Sequence, residues 1–186
     1  MSATPAATAV SNADIAALIA DVPDFPKPGV TFKDITPLLS SPEGFAATVA
    51  ALAASAPSGI DVVCGMEARG FIFGAPVALA LGAAFVPVRK PGKLPREVVE
   101  TTYDLEYGTE TLAVHADAIT PGARVLIVDD VLATGGTVAA TADLVRRLGG
   151  SLVSVSVVLE LAFLGPRAVL AGHGIDAVTA LVTYED

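Results

Sequence analysis

Two adjacent carboxylates, Asp129 and Asp130, follow the apolar run Val125-Leu126-Ile127-Val128 and precede Ala133-Thr134-Gly135-Gly136-Thr137. An uninterrupted apolar run of this kind suits a strand covered on both faces, as in a parallel sheet. The carboxylates then fall where that strand should end, and a helical pattern over residues 138–148 follows the glycines. Ligands of open α/β sheets bind beyond the carboxyl ends of the strands. A glycine-rich turn entering a helix offers backbone N–H groups at the positive end of the helix dipole. The chemistry expected is a phosphate monoester bound by Ala133, Thr134, Gly135, Gly136 and Thr137, with Asp129 and Asp130 on the hydroxyls of an attached sugar. Either feature alone is ordinarily a turn or a solvated corner; their order and spacing together point to a sugar phosphate. No Gly-x-x-x-x-Gly-Lys-Ser/Thr stretch and no strand-linked Gly-x-Gly-x-x-Gly is present, which excludes a P-loop and a dinucleotide fingerprint.

A second concentration of charge could neutralise further phosphate. Arg89, Lys90, Lys93 and Arg96 are four of only 11 basic residues, crowded into eight positions after an expected strand. After another expected strand, Gly65-Met66-Glu67-Ala68-Arg69-Gly70 places an arginine beside backbone amides. A guanidinium there can fork onto two phosphate oxygens.

Composition narrows the class. The chain has 186 residues, 53% of them hydrophobic and 17% charged, as expected for one globular domain with a sizeable core. A net charge of −9 argues against nucleic-acid binding, which wants a basic face. The single cysteine, Cys64, sits in an apolar run. It reads as a small buried hydrophobe, and a reducing cytoplasm is the expected compartment. No Cys/His cluster has zinc spacing, and His115 and His173 are isolated. Residues 1–10 are Ala-rich without a basic leading region, and read as a disordered tail rather than a secretory signal. Residues 71–88 lack charge, near the length of a membrane span. Gly74, Pro76, Gly82 and Pro87 break them into a buried helix and a buried strand, so no membrane association is expected.

The elements that must position these groups alternate. A helix is expected over residues 12–21, an irregular Pro-rich segment over 22–39, and a helix from Pro42 to about residue 54, capped by Ser41. Strands are expected over 60–66, 84–89, 124–128, 152–159 and 176–183, with helices over 71–81 and 136–148. Such alternation implies an α/β fold with a mainly parallel sheet flanked by helices. Residues 98–115 break the pattern and read as an antiparallel excursion, interrupted at Tyr107-Gly108.

The Asp-Asp and Gly-Gly motif resembles the phosphoribosyl-diphosphate (PRPP) signature of the type I phosphoribosyltransferases. Three further segments extend the likeness: Asp24-Phe25-Pro26-Lys27-Pro28-Gly29-Val30-Thr31-Phe32-Lys33-Asp34-Ile35, then Glu67-Ala68-Arg69-Gly70-Phe71-Ile72-Phe73-Gly74, then Arg89-Lys90-Pro91-Gly92-Lys93-Leu94-Pro95 with Tyr103-Asp104-Leu105-Glu106-Tyr107-Gly108. Together, in this order, they resemble the adenine phosphoribosyltransferase family. The resemblance implies the type I phosphoribosyltransferase fold, with a hood segment at residues 22–39 and a flexible β-hairpin loop at 93–111. It implies purine salvage, in which adenine and PRPP give AMP and pyrophosphate.

The same resemblance implies roles. Residues 133–137 would bind the 5′-phosphate, and Asp129 and Asp130 the ribose hydroxyls. Pyrophosphate would be held by Arg69, by the Glu67-Ala68 peptide (typically cis in this family), and by Arg89, Lys90 and Lys93. Phe32 would stack on adenine, with backbone groups of Thr31 and Lys33 reading its edge; the family often has Arg where Lys33 stands. Glu106 would be the acid/base. Magnesium would be held mainly by substrate and water, with no direct protein ligand, and the chain would form a homodimer in which Arg89 reaches the partner's site. Two alternatives stay open: a phosphoribosyltransferase for hypoxanthine, guanine, xanthine or orotate, and a PRPP-sensing regulator.

Overall fold

Ser11 starts the first helix, α1 (Asn12–Ala17), by a reciprocal cap. Its hydroxyl accepts the Asp14 N–H at 3.3 Å while the Asp14 carboxylate accepts the Ser11 N–H at 2.8 Å. The structure is a computed structural model, and it describes residues 11–104 and 108–186. The chain divides into two compact units, Met1–Val49 and Ala50–Asp186.

In the first unit α1 is shorter than its sequence pattern predicts. It ends at Leu18, and the chain turns into a short strand, β1 (Ala20–Val22), paired antiparallel with β2 (Phe32–Asp34). Helix α2 (Thr36–Ser40) follows. The Pro-rich segment is therefore not irregular throughout. Its prolines fall between or at the ends of elements, where a missing N–H is tolerated. The Phe25–Pro26 bond is cis, and the Phe25 and Phe32 rings meet edge to face at 5.2 Å. Helix α3 (Pro42–Ser55) begins as expected, with the Ser41 hydroxyl accepting the Gly44 N–H at 3.0 Å. It runs across the boundary into the second unit.

The second unit is built on five parallel strands. Strand β3 (Val62–Met66) is buried along its whole length, as its unbroken apolar sequence requires. Helix α4 (Gly70–Leu81) returns the chain to β4 (Ala84–Val88). The uncharged stretch over 71–88 is thus a helix of 12 residues and a strand. No helix among the described residues is long and apolar enough to cross a membrane. An antiparallel hairpin, β5 (Val98–Asp104) and β6 (Thr109–His115), occupies the predicted excursion. The chain re-enters the sheet with β7 (Arg124–Leu132), crosses through α5 (Gly136–Arg147) to β8 (Ser151–Leu161), and ends with α6 (Pro166–Gly172) and β9 (Val178–Tyr184).

The sheet order is β4-β3-β7-β8-β9. From β3 the chain first steps outward to β4, then returns to lay β7 on the opposite side of β3. The winding reverses between β3 and β7, so a crevice opens beyond their carboxyl ends. Val62, Cys64, Met66, Val125, Ile127, Val155 and Val157 form the sheet's part of the core, with Val138, Leu144 and Val145 of α5 packed on it. Burial pushes the Cys64 thiol up to about 12, so it stays protonated and serves as a small apolar group.

Candidate active site at the strand switch point

Strand β7 does not stop at Val128. It continues through Asp129 and Asp130 to Leu132, pairing with β8 from Asp129↔Val157 to Leu132↔Glu160. The strand therefore ends four residues later than expected, because alternation along the pleat lets a carboxylate sit in a strand that stays paired. Asp130 is buried, 3% exposed, and Asp129 is half-buried. The Asp130 N–H donates to Asp129 Oδ1 at 2.9 Å, which fixes one carboxylate beside the other.

The counter-charge comes from across the crevice. Arg69, following β3, places its Nε 2.9 Å from Asp130 Oδ2. That contact is an ion pair without hydrogen-bond alignment, and Oδ2 has no aligned donor. The Glu67–Ala68 peptide that leads into Arg69 is cis, as the resemblance implies. Gly70 completes the approach. A Cβ there would stand 2.7 Å from Asp129 Oδ1 and 3.3 Å from the Val128 carbonyl oxygen, so any larger residue displaces the carboxylate. Desolvation pushes both Asp129 and Asp130 above the usual carboxylate range. The Asp130 charge raises the cost for Asp129 further, and the Arg69 guanidinium offsets part of it for both.

After β7, residues 133–135 form the bend that turns into α5. Gly135 is the N-cap, at φ +89°, where an L side chain is strained and a Cβ would meet the Pro166 carbonyl oxygen at 3.1 Å. No side chain caps α5. The N–H groups of its first turn, at Gly136 and Thr137, thus open toward the carboxyl end of the sheet. The helix begins two residues before its apolar pattern does.

The basic cluster is held by the chain's own carboxylates. Glu67 accepts Arg89 Nε at 3.3 Å and Nη2 at 3.4 Å, and the Lys90 backbone N–H at 3.0 Å. That backbone bond, with Arg89, keeps Glu67 below the usual carboxylate range. Arg89 Nη1 also donates to the Lys93 carbonyl at 3.2 Å. Lys90 Nζ donates to Glu110 Oε1 at 2.6 Å, lowering the Glu110 pKa and raising that of Lys90. Arg96 does not join them; its guanidinium pairs with Asp117. Tyr103, opposite Glu110 in the hairpin register, donates to Glu110 Oε2 at 2.8 Å and lies 3.0 Å from Thr137 Oγ1. Burial first, then its carboxylate neighbours, push Tyr103 up to about 12. Tyr103 and Glu110 were not legible as site residues, because cross-strand pairing in a hairpin of unknown register places them.

Arg69, Asp129, Asp130, Glu67, Arg89, Lys90 and Thr137 thus gather in the second unit, at the end of the sheet where the winding reverses. A model of the phosphoribosyl transferase domain matches residues 39–162. An adenine phosphoribosyltransferase of Cutibacterium acnes is 63% identical over 91% of this chain and 96% of its own. The chain belongs to the adenine phosphoribosyltransferase family. The solved adenine phosphoribosyltransferase of Thermoanaerobacter pseudethanolicus is 47% identical, with a TM-score of 0.89 over 94% of this chain and 100% of its own. That of Saccharomyces cerevisiae, complexed with an imino-altritol bisphosphate and adenine, is 38% identical, with a TM-score of 0.84 over 91% and 97%. The type I phosphoribosyltransferase fold expected from the sequence is the fold found.

Thr31, Phe32 and Lys33, expected to meet the base, lie in the first unit. Thr31 is exposed, Phe32 half-buried and stacked edge-on by Phe25, and Lys33 Nζ is bound to Asp21 Oδ1 at 2.7 Å. Glu106, the expected acid/base of this family, lies outside the described residues.

The raised pKa of Asp129 has a consequence for stability. A carboxylate whose folded-state pKa lies above its unfolded value disfavours the fold once ionised. That cost is absent below the unfolded pKa and grows as pH rises through the folded one. Asp129→Asn keeps the acceptor for the Asp130 N–H and removes the charge. Its melting temperature is expected above that of the parent at pH 7, with the difference closing as pH falls toward 4. Calorimetry across that range checks it; a variant that melts lower at pH 7 contradicts the assignment.

Proposed function

We propose that the chain is an adenine phosphoribosyltransferase of purine salvage. It transfers the 5-phosphoribosyl group from PRPP to adenine, giving AMP and pyrophosphate. The observation that carries this reading is the buried Asp129–Asp130 pair at the end of β7, faced by Arg69 and followed by the uncapped start of α5. It supplies anion-binding amides and hydroxyl-binding carboxylates at one strand end. The 63% identity to an adenine phosphoribosyltransferase supports adenine as the base.

In the mechanism, residues 133–137 hold the 5′-phosphate and Asp129 and Asp130 hold the ribose hydroxyls. Arg69, Arg89, Lys90 and Lys93, with the Glu67–Ala68 peptide, receive the diphosphate. The C1–O bond to diphosphate breaks as the bond from adenine N9 to C1 forms, and the proton on the purine ring passes to Glu106. The transition state carries positive charge on the ribose and negative charge on the departing diphosphate. Fixed cations aimed at the latter lower the barrier. Phe32 stacks on the base, and backbone groups of Thr31 and Lys33 read its edge. The engagement of the Lys33 side chain by Asp21 supports a backbone role at that position. Closure of the 93–111 loop over the reacting atoms would exclude water.

Magnesium fits the donor set at one remove. Among the described residues no group of three or more His, Cys, Asp or Glu side chains could hold a metal ion. Asp129 and Asp130, adjacent and desolvated, with Asp130 Oδ2 lacking an aligned donor, suit the waters of a hard cation carried in by PRPP. When bound, such an ion would supply neutralisation of the diphosphate's charge. The buried thiol of the single cysteine supports a reducing, cytoplasmic setting. Ile72 and Leu79, seven residues apart on α4, are exposed, Leu79 to 83%. This apolar face supports a homodimer.

The decisive experiment offers adenine, hypoxanthine, guanine and orotate separately with PRPP and magnesium, and measures pyrophosphate. Release with adenine alone is expected; preference for another base would overturn the base assignment, and no release with any base would favour a PRPP-binding regulator. Glu106→Gln is expected to lower kcat by about 10²–10⁴-fold, in the range of a lost proton-transfer group. Light scattering is expected to give twice the 18.7 kDa of one chain; an active monomer would contradict the dimer.

A further inference from the structure

Among the contacts of the second unit, a four-member hydrogen-bonded bridge runs from the phosphate loop to the basic cluster. Thr137 Oγ1 lies 3.0 Å from the Tyr103 hydroxyl, which donates to Glu110 Oε2 at 2.8 Å, and Lys90 Nζ donates to Glu110 Oε1 at 2.6 Å. The donor inventory sets its direction. Glu110 is an acceptor on both oxygens, so the Tyr103 proton points to it, and the Thr137 hydroxyl donates to Tyr103. The two end members come from α5 and from the segment after β4, while the middle pair is a cross-strand pair of the hairpin. The Tyr103 ring packs against the core, which fixes where its hydroxyl stands.

We infer that Tyr103 and Glu110 are positioning residues for PRPP, holding the Thr137 hydroxyl and the Lys90 ammonium at the spacing of its 5′-phosphate and diphosphate. The inference rests on the proposed roles of Thr137 and Lys90. When PRPP binds, the Thr137 hydroxyl turns its proton to a phosphate oxygen, and Lys90 directs its donors to the diphosphate. The Tyr103–Glu110 hydrogen bond remains between them, and each end group has been ordered before the substrate arrives. Loss of that ordering weakens binding more than chemistry. Neither residue touches the reacting atoms.

The test compares Tyr103→Phe, which keeps the ring and its packing, with Thr137→Val and with the double variant, in steady-state kinetics with both substrates. Tyr103→Phe is expected to raise KM for PRPP about threefold to tenfold, the range of one hydrogen bond, with kcat and KM for adenine within about twofold. Glu110→Gln, which keeps an acceptor oxygen for one neighbour only, is expected to shift the same parameter. The double variant should show less than the product of the single effects, because both remove one bridge. If Thr137→Val raises KM for PRPP and Tyr103→Phe does not, the positioning role is overturned while the site reading stands. If Thr137→Val and Lys90→Met both leave KM for PRPP unchanged, the site reading fails, and the inference with it. A fall in kcat alone in Tyr103→Phe also overturns it. Melting temperatures of the variants separate these outcomes from loss of fold.

Discussion

Two carboxylates side by side in a paired, mostly buried strand are the constraint around which the second unit is organised. Burial disfavours the charge of both, and the Asp130 charge disfavours that of Asp129 further. The fold answers with three arrangements. Arg69 is brought to Asp130 from the neighbouring strand. Gly70 removes the side chain that would collide with Asp129. The Asp130 N–H is turned onto Asp129 Oδ1. The first two depend on β3 lying beside β7, a consequence of the reversal of winding in the sheet order. The strand order and the site are therefore one fact: without the reversal no loop from β3 could face the end of β7.

What was legible in the sequence follows from how local each signal is. The apolar runs at 62–66 and 125–128 state a strand buried on both faces, and the Gly135-Gly136 pair states a turn into a helix; both need only neighbouring residues. The hairpin at 98–115 was legible as an excursion for the same reason. Asp129 and Asp130 were legible as a candidate site but not as part of β7, since charge ordinarily marks a strand end. It does not here because ladder pairing with β8 carries on past them. The short strands β1 and β2 were missed because each is three residues long and lies beside prolines. A pattern of period two cannot declare itself over so few positions.

Tyr103 and Glu110 belong to a different class of omission. Their partners stand 34 and 20 residues away in the chain, and their meeting depends on the register Tyr103↔Glu110. A shift of one residue would put the two side chains on opposite faces of the hairpin. Arg96 shows the converse. Counting charge placed it with Arg89, Lys90 and Lys93, but its partner is Asp117, so proximity in sequence overstated the cluster.

The acidic character of the chain then takes on a meaning at the site. Arg69, Arg89 and Lys90 are each paired with a carboxylate of the same chain: Asp130, Glu67 and Glu110. Under the proposed function a polyanionic substrate would not meet loose cations; it would exchange with internal carboxylates. Exposure sets how easily. Lys90 is about half exposed and Arg89 about a third, and ion pairs in contact with water contribute only about 0–1 kcal/mol. Such pairs are too weak to obstruct a ligand carrying several negative charges, yet they hold long side chains in one place. The rotamer entropy that binding would otherwise cost is then largely lost already on folding. Arg69 differs, because its partner is buried and has no aligned donor. Moving the guanidinium away from Asp130 would leave a desolvated charge unpaired, so in the role proposed for it Arg69 would keep Asp130 as it meets a phosphate oxygen. Burial thus divides these cations: in the proposed reaction Arg89 and Lys90 would exchange partners and Arg69 would share one.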